Sequence, residues 1–114
     1  MSNQVISKSI IKLLSKKKLT LSVAESVTAG ALAAELTSIA GASKVFVGGV
    51  IAYSDQVKIS ELEVKKNDLI KHTAVSEQVA IAMAIGARER FNSDIAISTT
   101  GVAGPGRAYG QKAG

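Results

Sequence analysis

The sequence predicts an α/β protein in which helices cover both faces of a mainly parallel central sheet, giving a three-layer α/β/α sandwich. The first supporting observation is that short apolar runs, typical of buried strands, alternate with longer stretches of helical periodicity. The second is that the 114 residues suffice for one domain and contain no linker, so residues 1–114 form a single domain. The third is the composition, 46% apolar but 4% aromatic, which predicts a core of Ile, Val, Leu and Ala.

The first half of the chain predicts two helices and two strands. Apolar residues at helical spacing predict a helix over residues 3–17, followed by a strand over residues 19–24. A second helix is expected over residues 30–40, because Gly41 is a typical C-terminal signal. The apolar run over residues 45–53 predicts a strand that is covered on both faces.

The second half predicts two capped helices and a last strand. Ser54 is the expected N-cap of a short helix over residues 55–63, and Ser76 is that of a helix that reaches Phe91. The latter helix is apolar nearly all round, which predicts that it lies between layers or forms an oligomer contact. A strand over residues 95–99 follows, and the Gly-rich end of the chain predicts a sheet that is incomplete at its C-terminus.

The positive charge is confined to the first helix and its end. Residues 1–24 hold five lysines and no acid, which accounts for the whole net charge of +5. At helical period Lys8 and Lys12 fall opposite an apolar face formed by Ile6, Ile10, Leu13 and Leu14. The pattern favours a solvated helix face over a phosphate-binding patch, and aromatic residues interleaved with the basic ones are absent. We therefore expect no nucleic-acid partner.

Composition also excludes several kinds of site. The chain has no cysteine, which rules out disulfides and thiolate metal sites, and the single histidine, His72, rules out a histidine-rich metal site. No apolar run approaches the length of a membrane span, and a signal-peptide hydrophobic region is missing. We expect a cytoplasmic protein without a membrane partner.

Three segments at strand ends form the candidate site. Ser26 follows the first strand, Tyr53 ends the second, and residues 101–106 follow the third. Ligands of such sheets bind beyond the carboxyl ends of the strands, where backbone N–H groups can also hold an anion. Each segment also has an ordinary interpretation, as a helix cap, a strand-end aromatic residue and a structural turn.

The candidate chemistry is nucleophilic. A serine hydroxyl needs a base to take its proton, and Lys58 lies in the first turn of the helix capped by Ser54. The positive end of that helix is expected to lower the pKa of Lys58, and Tyr53 is placed to orient it or to relay a proton. Alone, Lys58 is best interpreted as a solvated helix lysine, so only the combination of the three residues supports a site.

A nicotinamide-dinucleotide site is excluded. Tyr53 and Lys58 are five residues apart, whereas the short-chain dehydrogenases have tyrosine and lysine four apart on one helix face. The first strand is followed by AESVTAG rather than by the Gly-rich fingerprint. The order of Gly101, Gly104 and Gly106 does not match that fingerprint either. Alone, this loop favours a structural turn, and the functional interpretation is that its backbone comes close to a ligand.

Four ordered segments resemble the CinA C-terminal-domain family. AESVTAG (residues 24–30) resembles the family signature AES-x-T-G-G, and IAGASKVFVGGVIAYSDQVK (residues 39–58) resembles the segment that follows it. AVSEQVAIAMAIGAR (residues 74–88) and TTGVAGPG (residues 99–106) resemble a later helix and loop of the family. The family contains nicotinamide-nucleotide amidohydrolases, which convert nicotinamide mononucleotide to nicotinate mononucleotide and ammonia.

The resemblance implies a role for each part of the site. Ser26 would be the nucleophile, Lys58 the general base and Tyr53 its assistant, while the loop after the third strand would meet the nucleotide. It implies no metal and no cofactor. The substrate-binding residues would come from the first turn and from this loop: Glu25, Val27, Thr28, Ala29, Gly30, Thr100, Gly101 and Gly104. Backbone N–H groups of the first turn would hold the oxyanion.

Departures from the family leave alternatives. Ala29 replaces the first glycine of the usual pair, Asp55 stands where the family often has asparagine, and family members normally continue with further strands and a last helix. A second hypothesis is therefore a non-catalytic nucleotide-binding or oligomerisation module, inactivated by the short C-terminus. A third is a basic nucleic-acid binder with salt-dependent affinity, which the confined charge disfavours. We also expect a homo-oligomer with the helix over residues 76–91 as its contact.

Overall fold

The computed structural model describes residues 3–114. Five α-helices, three strands and a 3-10 turn at Ala42–Lys44 alternate along these residues. In chain order they are α1 (Asn3–Lys17), β1 (Leu21–Glu25), α2 (Ala31–Thr37), β2 (Phe46–Ile51), α3 (Asp55–Leu62), α4 (Lys66–His72), α5 (Glu77–Phe91) and β3 (Ile95–Ser98).

The three strands form one parallel sheet in the order β2-β1-β3. The register pairs Glu25 with Ile51 and Ala24 with Ser98, so the three carboxyl ends lie together. Two separate apolar clusters cover the two faces of β1, one built with α1 and α2, the other with α3, α4 and α5. The predicted three-layer α/β/α fold is therefore confirmed.

The predicted caps of α3 and α5 are present. The side chains of Ser54 and Ser76 each accept a hydrogen bond from the backbone N–H three residues later, at 3.2 Å in both cases. These bonds satisfy amides that have no partner inside the helix. The cap at Ser54 fixes where α3 begins, immediately after the end of β2, and so fixes the position of Lys58.

Helix α2 is shorter than predicted. It ends at Thr37 instead of residue 40. The hydroxyl of Thr37 donates to the carbonyl oxygen of Ala33, and that of Ser38 donates to Glu35, so side chains satisfy carbonyl groups at the helix end. Gly41 then adopts a φ of 87°, which only glycine tolerates readily.

The prediction that β2 is covered on both faces is wrong. Val47 is 48% exposed and Ile51 is 57% exposed, and β2 is an edge strand of the described sheet. On its other face Val50 packs against the cluster built with α3, α4 and α5, and the Phe91 ring lies next to Gly48. The apolar run therefore marks a strand with one partly buried face and one exposed face.

The two long helices each have one buried face. In α1 the core-facing residues are Ser7, Ile11 and Leu14, whereas Ile6 and Leu13 of the predicted apolar face are about half exposed. In α5 Val79 and Met83 are fully buried, while the opposite side of the helix is exposed. No helix within residues 3–114 combines the length and apolar character that crossing a bilayer requires.

Candidate active site

The parallel sheet brings the predicted site residues to one edge. Ser26 directly follows β1, Tyr53 lies two residues beyond β2, and Thr99 directly follows β3. Lys58 reaches this edge from the first turn of α3. Residues that are far apart in the sequence therefore lie around one point because the strand ends coincide.

The centre of the site is a contact between Lys58 and Ser26. Lys58 Nζ lies 3.1 Å from Ser26 Oγ, within hydrogen-bond distance. Both side chains are almost inaccessible, with exposures of 1% for Lys58 and 7% for Ser26. A hydroxyl and an amine in such contact, both largely shielded from water, form a pair in which a neutral amine can take the hydroxyl proton.

Burial lowers the pKa of Lys58 below its usual value of 10.5. Asp55 opposes this shift, because one of its carboxylate oxygens lies 3.9 Å from Lys58 Nζ. The Asp55 side chain is about half exposed, and its charge does not cancel the effect of burial. The direction agrees with the sequence-based expectation, which named the helix end as the cause, and the main cause in the structure is desolvation. A lysine with a lowered pKa has more of its neutral form, which can accept a proton.

Tyr53 contacts Lys58 through its backbone. Its carbonyl oxygen accepts a hydrogen bond from Lys58 Nζ at 3.2 Å. Its side chain is 60% exposed and lines the pocket above the lysine. The main chain of Tyr53 therefore orients the lysine, and its ring is available to a bound ligand.

Glu25 lies beneath the site and does not line the pocket. Its side chain is 1% exposed, and its carboxylate accepts backbone N–H bonds from Gly30, Leu32 and Ala33 at 2.8 to 3.1 Å. Burial alone would raise the pKa of Glu25. Hydrogen bonds from the Thr28 hydroxyl and these amides together lower it by more than burial raises it, so the net shift is downward. The carboxylate caps α2 and shapes the turn that carries Ser26.

The turn between β1 and α2 explains the small residues there. Ala29 has a φ of 50° and Gly30 a φ of 104°, both in the left-handed region. Ala29 is exposed, so its methyl group causes no crowding, although this conformation costs an alanine about 1 kcal/mol. Within residues 3–114, the N–H groups of Val27 and Thr28 have no hydrogen-bond acceptor, whereas Gly30 donates to Glu25.

A pocket of about 330 Å³ opens above Ser26 and Lys58. Of the predicted ligand-binding residues, Val27, Thr100, Gly101 and Gly104 line it, whereas Thr28, Ala29 and Gly30 lie outside it. The segment after β3 folds back over the pocket, held by hydrogen bonds from Thr100 Oγ1 to the carbonyl oxygen of Ala74 and between the backbones of Val102 and Gly114.

Sequence reasoning missed several residues of the wall. Ala74 and Val75 precede α5, and Arg107, Ala108 and Tyr109 follow the glycine loop. Arg107 is the only cation besides Lys58 in the described lining, and its exposed position gave no periodic signal in the sequence. Across residues 3–114 there is no group of three histidine, aspartate or glutamate side chains that could hold a metal ion.

The chain is similar in sequence to proteins that are named CinA-like. The family model described as CinA C-terminal domain matches residues 3–114. A CinA-like protein of Kosmotoga olearia is 49% identical over 96 residues, which is 84% of this chain and 23% of that protein. The chain therefore spans about a quarter of the length of the curated relatives that it matches.

Solved structures agree with the sequence matches. A CinA superfamily protein of Escherichia coli superposes with a TM-score of 0.95 at 34% identity, covering 98% of this chain and 66% of the other. A competence/damage inducible protein of Agrobacterium tumefaciens gives a TM-score of 0.91 at 36% identity, covering 99% of this chain and 72% of the other. Together with the family model over nearly the whole chain, these matches show that the protein belongs to the CinA C-terminal-domain family.

Proposed function

We propose that the chain is an amidohydrolase that converts nicotinamide mononucleotide to nicotinate mononucleotide and ammonia through a serine nucleophile. The observation that carries the proposal is the buried contact of 3.1 Å between Ser26 Oγ and Lys58 Nζ at the base of a pocket. A buried serine and lysine in contact are the minimum that acyl transfer requires of side chains.

The reaction begins with neutral Lys58. It takes the proton of the Ser26 hydroxyl as Oγ attacks the carboxamide carbon, and the carbonyl oxygen becomes an oxyanion. Lys58 then gives this proton to the amide nitrogen, the C–N bond breaks, and ammonia leaves an acyl-enzyme. A water molecule, activated by the same lysine, hydrolyses the ester to nicotinate mononucleotide and restores Ser26.

The oxyanion needs hydrogen-bond donors that nothing else uses. The N–H group of Val27 is the candidate, because Val27 lines the pocket and its amide has no acceptor within residues 3–114. The amide of Ser26 is instead bound to Thr99, and that of Gly30 to Glu25. This narrows the sequence-based expectation, which included the amides of Ala29 and Gly30, since Ala29 donates to the carbonyl oxygen of Ser26.

The remainder of the pocket suits a nucleotide. Backbone groups of Gly101 and Gly104 line it at one side, and Arg107 supplies a positive charge in the same wall. A guanidinium group is suited to a phosphate group. The ring of Tyr53 offers an apolar surface on which a pyridine ring can stack.

The test measures ammonia release from nicotinamide mononucleotide by the wild type and two variants. Ser26→Ala and Lys58→Ala should each lower kcat by a factor of 1,000 or more, a drop of roughly the size that loss of an activated nucleophile produces. The matched controls are Ser60→Ala and Lys66→Ala, which change an exposed serine and an exposed lysine outside the pocket and should keep wild-type rates.

Titration calorimetry with the same mononucleotide distinguishes the alternatives. Binding with no ammonia release would favour a non-catalytic nucleotide-binding module and overturn the enzymatic proposal. Full activity of Ser26→Ala would overturn the serine mechanism, but the proposal that the protein deamidates nicotinamide mononucleotide would stand.

A further inference from the structure

The amide of Ser26 is held by a side chain as well as by backbone. Its N–H donates to the carbonyl oxygen of Thr99 at 3.1 Å and also to Thr99 Oγ1 at 3.2 Å. Thr99 directly follows β3, which pairs with β1, so these bonds join two neighbouring strand ends. The position of the candidate nucleophile therefore depends on a hydroxyl outside the turn that carries it.

Two further hydrogen bonds extend this contact to a buried carboxylate. Thr99 Oγ1 lies 2.7 Å from Thr28 Oγ1, and Thr28 Oγ1 lies 2.5 Å from Glu25 Oε1. Glu25 is 1% exposed and is itself fixed by three backbone amides, one from the N-cap residue of α2 and two from its first turn. The series Ser26, Thr99, Thr28 and Glu25, here called the threonine relay, thus begins at the nucleophile and ends at a rigidly held charge.

The carboxylate sets the direction of every bond in the relay. An ionised carboxylate only accepts, so Thr28 must donate its single hydroxyl proton to Glu25. Thr28 Oγ1 can then only accept from Thr99, and the oxygen of Thr99, whose proton is committed, accepts from the amide of Ser26. Hydrogen bonds to a charged group are about twice as strong as neutral ones and polarise those behind them.

We propose that Thr99 and Thr28 are positioning residues, which hold the backbone of Ser26 so that its Oγ stays within hydrogen-bond distance of Lys58. The proposal rests on the proposed function in one respect, that Ser26 is the nucleophile. It does not depend on the identity of the substrate. It assigns Thr28, which is exposed and does not line the pocket, a positioning role in place of the substrate contact that the resemblance implies.

The test uses Thr99→Val, which keeps the branched shape but removes the hydroxyl, and Thr99→Ser, which restores the hydroxyl. Thr28→Val interrupts the relay one residue further on. Thr37→Val is the matched control, because Thr37 is an exposed threonine at the end of α2 whose hydroxyl bonds only to backbone. Circular dichroism melting curves show whether each variant is folded.

The first measurement is the rate at which a fluorophosphonate labels the protein, followed by intact mass. Ser26 Oγ attacks phosphorus, the P–F bond breaks, fluoride leaves, and the hydroxyl proton passes to Lys58. We expect folded Thr99→Val and Thr28→Val to react at least tenfold more slowly than wild type, while Thr99→Ser and Thr37→Val react within twofold of it. Ser26→Ala must not be labelled.

The second measurement is the backbone amide resonance of Ser26 in a ¹H–¹⁵N spectrum. Loss of an acceptor in Thr99→Val should move this proton resonance upfield, and Thr99→Ser should return it. The pH at which labelling is half-maximal should stay unchanged in Thr99→Val, because the contacts of Lys58 with Asp55 and Tyr53 remain. A general loosening of the site would instead hydrate Lys58 and move that midpoint.

Three outcomes of the labelling experiment decide whether the threonine relay positions Ser26. Labelling of Thr99→Val within twofold of wild type would overturn it. Absence of label on the wild type would remove Ser26 as nucleophile and this proposal with it. Labelling that depends on the relay, without release of ammonia from nicotinamide mononucleotide, would support the relay and overturn only the substrate assignment.

Discussion

The burial of Lys58 predicts how the activity depends on pH. Its pKa is lowered from 10.5 by desolvation, and Asp55, whose carboxylate lies 3.9 Å away, works in the opposite direction. Since only the neutral amine accepts a proton, kcat/KM should rise with pH and level off, with its midpoint below 10.5. Asp55→Asn removes the opposing charge and should move the midpoint to still lower pH.

The measurement is kcat/KM for ammonia release from about pH 6 to about pH 10. Asp68→Asn serves as the control, because Asp68 lies in the first turn of another helix, α4, and does not line the pocket. A midpoint that stays the same or rises in Asp55→Asn would contradict the assignment of Lys58 as the base.

The same lysine makes stability depend on pH. Between its folded pKa and 10.5 the unfolded chain binds more protons than the folded one, so the free energy of unfolding rises with pH there. The slope is at most about 1.4 kcal/mol per pH unit. Relative to Lys58→Met, which does not titrate, the wild type should therefore gain stability as pH increases.

Urea unfolding of both proteins at several alkaline pH values checks this. The expected result is that the stability difference changes in favour of the wild type with increasing pH, whatever its sign at neutrality. A constant difference would mean that Lys58 titrates alike in both states, which its burial argues against.

At the residue scale the sequence predicted which side chains lie together in the site but not the hydrogen bonds between them. The convergence of Ser26 and Lys58 followed from strand ends, which a parallel sheet brings together. Glu25 was predicted to contact the substrate, but its carboxylate is turned inward onto α2, which the sequence alone does not reveal. The bond between Thr99 and Ser26 was equally hidden, since it spans 73 positions.

At the scale of the elements, α5 and α3 pack through a glycine. A Cβ atom added at Gly86 would overlap the backbone carbonyl group of Leu62 at the end of α3. Gly86 is a helical residue, where alanine would ordinarily stabilise by about 1 kcal/mol. Here Gly86→Ala should instead destabilise by about 2 kcal/mol, because backbone cannot yield as a flexible side chain does.

Urea unfolding measures this change, with Glu89→Ala on the exposed side of α5 as control. The control should stay within about 0.5 kcal/mol of wild type. Stabilisation by Gly86→Ala would show that the two helices are further apart than described.

Elements with strong periodicity or caps were predictable, and those without were not. Helix α1 has the predicted bounds, and Ser76 starts α5 where expected. Helix α4 was missed because it is short, rich in charge, and buries only Leu69. The exposed face of β2 was mispredicted because an apolar run does not reveal whether its strand is central or at an edge.

At the scale of the whole molecule, apolar surface remains on the outer side of α5. Ile81 is 52% exposed and Ile85 is 46% exposed, and residues four apart lie on the same side of a helix. Two copies of such a pair can bury each other across a two-fold axis, with each isoleucine of one copy against an isoleucine of the other. We therefore propose a homodimer that uses this face, which retains the sequence-based expectation and specifies its residues.

Sedimentation velocity at micromolar concentration tests the dimer, with Ile81→Lys as the disruptive change. A charge on this face would have to be desolvated on association, so the variant should sediment as a monomer. Ile70→Lys is the matched control, because Ile70 is 71% exposed on α4 and should leave the dimer intact. If the wild type is itself a monomer, or if Ile81→Lys still dimerises, the proposed contact is wrong. If both variants become monomers, the contact extends beyond α5 to α4.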